Sequence, residues 1–294
     1  MLVENRLCKL YLVRIMNILK QISLFKKFYL NSRAANGPEK QQEFAMHLED
    51  VDIEAYNRRL QASVFDSKVI QTVGYDNKDF RIFQLDWGRV DSNKRLLILA
   101  GVHGNEIAGS LAVLDILEDI QQHVDQYKDW SVRIVAPVNP VGVVCQSRYD
   151  QNGYDLNRDF KDFHTVGARL QRDVVTEFKP TIVVTMHESP DEGFYMFSEG
   201  KLSQTFKQSI ADTLTKANIP LAKTNFLHMK LKNGMWEKPK IIFALQRILG
   251  IYTLGRYLYE HNIPTLTTES TWSEKDMLSR RIPHMLVVRA ILKT

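Results

Sequence analysis

Two kinds of apolar run alternate along most of this chain. Short runs rich in Val, Ile and Leu predict strands at Lys68–Val73, Phe80–Trp87, Arg95–Ala100, Val132–Val138, Thr181–Met186 and Pro264–Thr268. Between and after them, apolar positions three and four apart predict helices at Glu106–Gln122, Gly167–Phe178, Leu202–Lys216, Phe243–His261 and Trp272–Leu292. The runs Leu96-Leu97-Ile98-Leu99 and Ile182-Val183-Val184 are continuous rather than alternating. A strand reads that way when both its faces are covered. The expected architecture is therefore α/β, with a mostly parallel, mixed and twisted sheet flanked by helices on both faces. Sites in such sheets form just beyond the carboxyl ends of the strands.

The first forty residues have a different pattern. Over residues 5–30, Arg6, Lys9, Lys20 and Lys27 fall on one side of a helical wheel, and Tyr11, Ile15, Ile18, Ile22 and Tyr29 on the other. Three readings of such a stretch stay open: peripheral contact with an anionic membrane surface, a helix packed on the body, or an extension upstream of the true start, since Met16 and Met46 could also begin the chain. Asn36-Gly37-Pro38 stops it, and Glu39–Phe44 reads as a polar linker. The expected organisation is a basic extension over residues 1–44 and one large domain over residues 45–294.

Charge changes the picture once it is divided. The formal net charge of +5 first points to polyanionic partners. Residues 1–40 alone carry +6, and the other 254 residues sum to −1. The body thus lacks the footprint of a nucleic-acid-binding surface. The two cysteines, Cys8 and Cys145, can form neither a disulfide scaffold nor a Cys-x-x-Cys site. No uncharged run approaches the ~20 residues of a membrane span. Lys9, Arg14, Lys20 and Lys26 interrupt any apolar core of a secretory signal, so a cytoplasmic protein is expected.

The chemistry gathers at the predicted strand ends. Arg95–Ala100 runs into Gly101-Val102-His103-Gly104-Asn105-Glu106, where an imidazole and a carboxylate three residues apart can reach one point. Two such groups are part of the ligand set of a catalytic zinc site. Thr181–Met186 runs into His187, which could approach His103 across a parallel sheet. Pro264–Thr268 runs into Glu269, a carboxylate placed to take a proton from water. Between them a polar loop carries Arg148, Asp155, Asn157 and Arg158, and guanidinium groups beside a metal suit a carboxylate substrate. Taken singly, each group also reads as an ordinary helix-start acid, core histidine or solvated loop residue.

Their order is more specific than any one of them. His103-x-x-Glu106, then Arg148 with Asp155-Leu156-Asn157-Arg158, then His187, then Glu269 resembles the zinc carboxypeptidase superfamily, including its succinylglutamate desuccinylase and aspartoacylase branch. The resemblance covers roughly residues 68–292. It implies that His103, Glu106 and His187 bind one Zn²⁺ and leave a position for water. It makes Glu269 the general base, Arg148 the group that stabilises the oxyanion, and Asn157 with Arg158 the holders of a substrate carboxylate. Asp155 would accept the other ring N–H of His103 and fix its tautomer. Large members place a mobile tyrosine before the catalytic glutamate. Tyr252 is the candidate in that region for substrate binding and Arg256 for an acidic side chain, although the stretch also reads as helix.

The resemblance implies a metallocarboxypeptidase-like hydrolase of an amide or peptide bond beside a free carboxylate. His103-Gly104-Asn105-Glu106 followed by Gly109 also fits an aspartoacylase-like deacylase of N-acyl amino acids. A binding module without catalysis is the third reading, since a fold alone does not carry activity.

Overall fold

The computed structural model describes residues 37–38, 48 and 50–294, except 226–228. The amphipathic stretch at 5–30 and the boundary expected near residue 44 lie outside the described residues. Among those described, no helix is long and apolar enough to cross a membrane.

The elements run in order α1 (Ile53–Gln61), β1 (Asp66–Tyr75), β2 (Lys78–Gly88), β3 (Lys94–Ala100), α2 (Ile107–Gln122), α3 (Val124–Tyr127), β4 (Trp130–Ala136) and α4 (Pro140–Cys145). They continue with α5 (Val166–Phe178), β5 (Ile182–Ser189), β6 (Tyr195–Glu199), α6 (Gln204–Lys216), β7 (Met235–Glu237), α7 (Lys240–Ile248), α8 (Leu254–Glu260), β8 (Thr265–Thr271) and α9 (Met277–Leu292). The strands form one mixed sheet in the order β1-β2-β4-β3-β5-β8-β6-β7. Its centre, β4-β3-β5-β8, is parallel throughout. β1 and β2 form an antiparallel hairpin whose turn residues Asp76 and Asn77 both have positive φ, the conformation a two-residue turn demands.

The continuous apolar runs are buried on both faces, as expected. Along β3, Leu96, Ile98 and Ala100 enter one core with α1, α2, α6 and α9. Leu97 and Leu99 enter the other with α5 and α8. The two-residue period of the strand feeds alternate side chains to opposite layers.

Three differences from the sequence reading bear on the site. First, β5 and β8 stay paired for three residues past their expected ends, so His187 and Glu269 lie within strands and face each other in register. Second, the single helix expected over Phe243–His261 is two helices. Ile251 N–H bonds Gln246 C=O and Gly250 N–H bonds Arg247 C=O, with Gly250 at φ +67°, a closed helix ending that only glycine adopts without strain. Third, the short strands β6 and β7 lie where the sequence predicted no element, and the last helix begins at Met277 instead of Trp272.

Candidate active site

The turn after β3 carries the first two groups. A Cβ built on Gly104 would lie 1.8 Å from the backbone carbon of Gly142, so only glycine allows the turn to pack against α4. That packing sets His103 beside Glu106, the residue preceding α2, with His103 Nδ1 2.9 Å from Glu106 Oε1. From β5, His187 Nδ1 lies 2.8 Å from Glu106 Oε2 and 3.1 Å from His103 Nδ1. All three side chains are buried, and one potential ligand atom from each lies within 4.8 Å of the others.

Asp155 stands directly behind. Its Oδ1 lies 3.2 Å from His103 Nε2, and its Oδ2 accepts from Arg148 Nε at 2.8 Å. Burial alone would raise its pKa, but Arg148, Arg158 and His103 hold it well below the usual carboxylate range. Glu106 behaves alike: burial opposes ionisation, and His103 and His187 outweigh it to keep the carboxylate charged. Burial lowers the pKa of His187 against the pull of Glu106 and favours its neutral ring.

This donor set fits a divalent ion. In the tautomer of His103 that gives its Nε2 proton to Asp155, Nδ1 offers a lone pair to a Glu106 oxygen 2.9 Å away. Two acceptors facing each other repel; Arg148 Nη1, 3.2 Å from each, eases that contact, and a cation shared with His187 would make it favourable. Two imidazoles and one carboxylate suit zinc with one position left open.

The remaining predicted groups meet at the same place. His103, Glu106, His187, Arg148, Asn157, Arg158 and Glu269 all line one cavity. Arg148 is oriented by two carboxylates, since its Nη1 also donates to Glu106 Oε1 at 3.2 Å. Asn157 Oδ1 accepts from Leu254 N at the start of α8, and Arg158 donates to the Asn157 carbonyl at 2.7 Å. Glu269 is half-buried; desolvation, then Glu106 and Asp191, raise its pKa well above the usual value, and Arg148 opposes them.

Tyr252 is not among the cavity residues. The helix break places it in the second apolar cluster, where Arg256 lies 4.4 Å from its ring centre. Arg256 is itself buried and committed to Glu260 and the Ile251 carbonyl. The sequence reading assigned no role to Glu199, Lys238, Gln246 or Thr267, which extend the cavity away from Glu269. Glu199 lies on β6 and Gln246 sat inside the overlong helix, so no strand-end signal marked either.

His284 of α9 supports the Glu269 strand from behind. Its Nδ1 bonds Thr268 Oγ1 at 2.7 Å and its Nε2 bonds Ser270 Oγ at 3.1 Å, the residues on either side of Glu269. Burial, then the nearby His187 and Arg280, push its pKa down to about 3. Below the ordinary value near 6.5 the unfolded chain therefore takes up a proton that the folded protein refuses. This contribution to stability is complete above pH ~6.5 and is lost as pH falls toward 3, at about 1.4 kcal/mol per unit. His284→Gln is expected to flatten the fall in Tm between pH 6 and pH 4. An unchanged slope would show that His284 does not supply it.

A family model described as "Protein of unknown function (DUF2817)" matches residues 54–217, more than half of the chain. The protein has the fold of the zinc carboxypeptidase-like superfamily, and it belongs to the DUF2817 family within that fold. A candidate metallopeptidase from Shewanella denitrificans OS217 superposes with a TM-score of 0.66 at 18% identity, covering 86% of this chain and 97% of that one. A metallo-carboxypeptidase from Burkholderia cenocepacia gives 0.58 at 14% identity, covering 81% of this chain and 66% of the other. In sequence, carboxypeptidase 2 of Trichophyton rubrum is 29% identical over 102 residues, 32% of this chain. That match spans 18% of the fungal protein's length.

Proposed function

We propose that this protein is a zinc-dependent hydrolase that cleaves an amide or peptide bond beside a free carboxylate, as a metallocarboxypeptidase does. The observation that carries the reading is one cavity lined by a His–Glu–His donor set, a separate carboxylate with a raised pKa, and two arginines. Zinc held by His103, Glu106 and His187 would supply Lewis acidity and make water easier to deprotonate.

The chain's own residues then divide the work. Glu269 takes a proton from the attacking water and returns it to the leaving nitrogen; its raised pKa brings it nearer the working pH of a base. Arg148, pre-oriented by Asp155 and Glu106, stabilises negative charge developing on the carbonyl oxygen. Asn157 and Arg158 hold the substrate's free carboxylate, and Asp155 keeps the lone pair of His103 turned inward.

The test is hydrolysis of N-blocked dipeptides beside N-acetyl and N-succinyl amino acids, with the metal content measured. Release of C-terminal residues that stops on chelation and returns with added zinc is the expected result. Hydrolysis confined to N-acyl amino acids would replace the reading by the deacylase one. Turnover untouched by chelation, or none with zinc bound, would overturn it.

A further inference from the structure

The cavity continues past the reacting groups, and its far end is built for something specific. β6 and β8 are antiparallel, with Tyr195 opposite Glu269, Phe197 opposite Thr267 and Glu199 opposite Thr265. Alternate residues share a face, so Tyr195, Phe197 and Glu199 form a continuous floor with Glu269 and Thr267. Glu199 lies four residues from the Glu269 register, about 13 Å along the strand. Gln246 of α7 and Thr253 and Gly255 at the start of α8 line the same cavity. A Cβ on Gly255 would come within 2.6 Å of Glu199 Oε1, so its glycine leaves room for the carboxylate.

The polar groups there are buried, and their bonding is incomplete. Glu199 is 1% exposed and Gln246 6%. Lys238 donates to Glu199 Oε1, and its ammonium lies between the rings of Phe197 and Phe243, at 5.2 and 5.7 Å from their centres. Among the described residues, Glu199 Oε2 and Gln246 Oε1 find no hydrogen-bond partner. Buried acceptors without protein donors are rare, and where they line a cavity a water or a ligand supplies the missing donor.

Charge narrows the ligand further. Glu199 and Lys238 cancel, so a third charge here would be buried without a counter-ion. A lysine ammonium would satisfy both acceptors but crowd Lys238. A glutamate would meet two acceptors that need donors. A methionine or leucine would leave them unpaired. A carboxamide has the matching inventory: two N–H groups for the two acceptors and one oxygen that can accept from an ammonium. We propose that Glu199, Gln246 and Lys238 select a substrate whose terminal residue ends in an electroneutral carboxamide, as glutamine and asparagine do. The proposal rests on the carboxypeptidase reading above.

The experiment compares kcat/KM of the zinc-loaded full chain on N-blocked dipeptides ending in Gln, Asn, Met, Lys and Glu. Gln or Asn is expected to exceed Met, Lys and Glu by about 10²-fold or more, because sites built to bond a polar group reject analogues that lack it. Met equal to both amides, or Lys or Glu as the best substrate, would overturn the proposal. Glu199→Gln removes the negative charge and is expected to move the preference toward Glu. Lys238→Met removes the positive one and is expected to move it toward Lys. An unchanged ranking in either folded variant would also overturn the proposal. If no peptide is cleaved, the carboxypeptidase reading fails separately. Calorimetry with free glutamine and methionine then tests the far end alone, where equal binding or none counts against it.

Discussion

Glu269→Gln is expected to lower kcat by about 10²–10⁴-fold while metal content and Tm stay near wild type, the cost typical of removing one general base. The substitution keeps the side chain's shape and an acceptor oxygen but removes the basic site. Its effect should fall mainly on kcat, because the proposed carboxylate clamp of Asn157 and Arg158 comes from a different segment of the cavity wall. The strand should tolerate the change, since Glu269 is held by ladder pairing to His187 on one side and Tyr195 on the other. Steady-state kinetics with metal analysis checks this. Full activity with zinc bound would remove Glu269 from the reaction.

The second large effect is on stability. Arg280 is fully buried on α9 and grips Glu188 with two bonds, Nε to Oε1 at 2.7 Å and Nη2 to Oε2 at 3.0 Å. Glu188 Oε2 also accepts from Ala108 N in the first turn of α2. One buried ion pair therefore ties α9 to β5 beside His187 and to α2 beside Glu106. Burial raises the pKa of Glu188 even against the pull of Arg280, so the charge depends on this partner. Arg280→Met should leave a buried acid without its counter-charge and cost about 3–5 kcal/mol. For a chain of this size Tm should fall by an amount on the order of 10 °C. Combining it with Glu188→Leu should recover part of that loss, because the stranded charge is then gone. Thermal denaturation of both variants checks the argument, and a single variant as stable as wild type would refute it.

The sheet's buried centre was legible because the continuous runs in β3 and β5 have few alternatives. The donor set was legible for a related reason: a polar residue right after such a run marks the carboxyl end of the apolar stretch, with His103 just beyond β3 and His187 within β5 next to Met186. What sequence could not show depends on partners far along the chain. Glu188 sat next to His187 and read as nothing in particular, because Arg280 lies 92 positions away. Glu199 and Gln246 were hidden for another reason. The short strand β6 lies outside every run, and the helical period around Phe243 continues smoothly through the Gly250 break. Periodicity registers which face is apolar and is blind to a reversal of direction, so it gave no sign of the break; Tyr252 was singled out by the family resemblance, and it does not line the cavity.

That break also separates two kinds of change open to the protein. The piece after it, beginning at Leu254, is bonded to Asn157 and so to the loop beside His103. The piece before it, Lys240–Ile248, contributes Gln246 to the cavity and none of the reacting groups. Under the proposed function, substitutions along that one helix are expected to retune which molecule is admitted while the reacting groups stay as they are. Families diversify readily when recognition and reaction rest on separately adjustable parts.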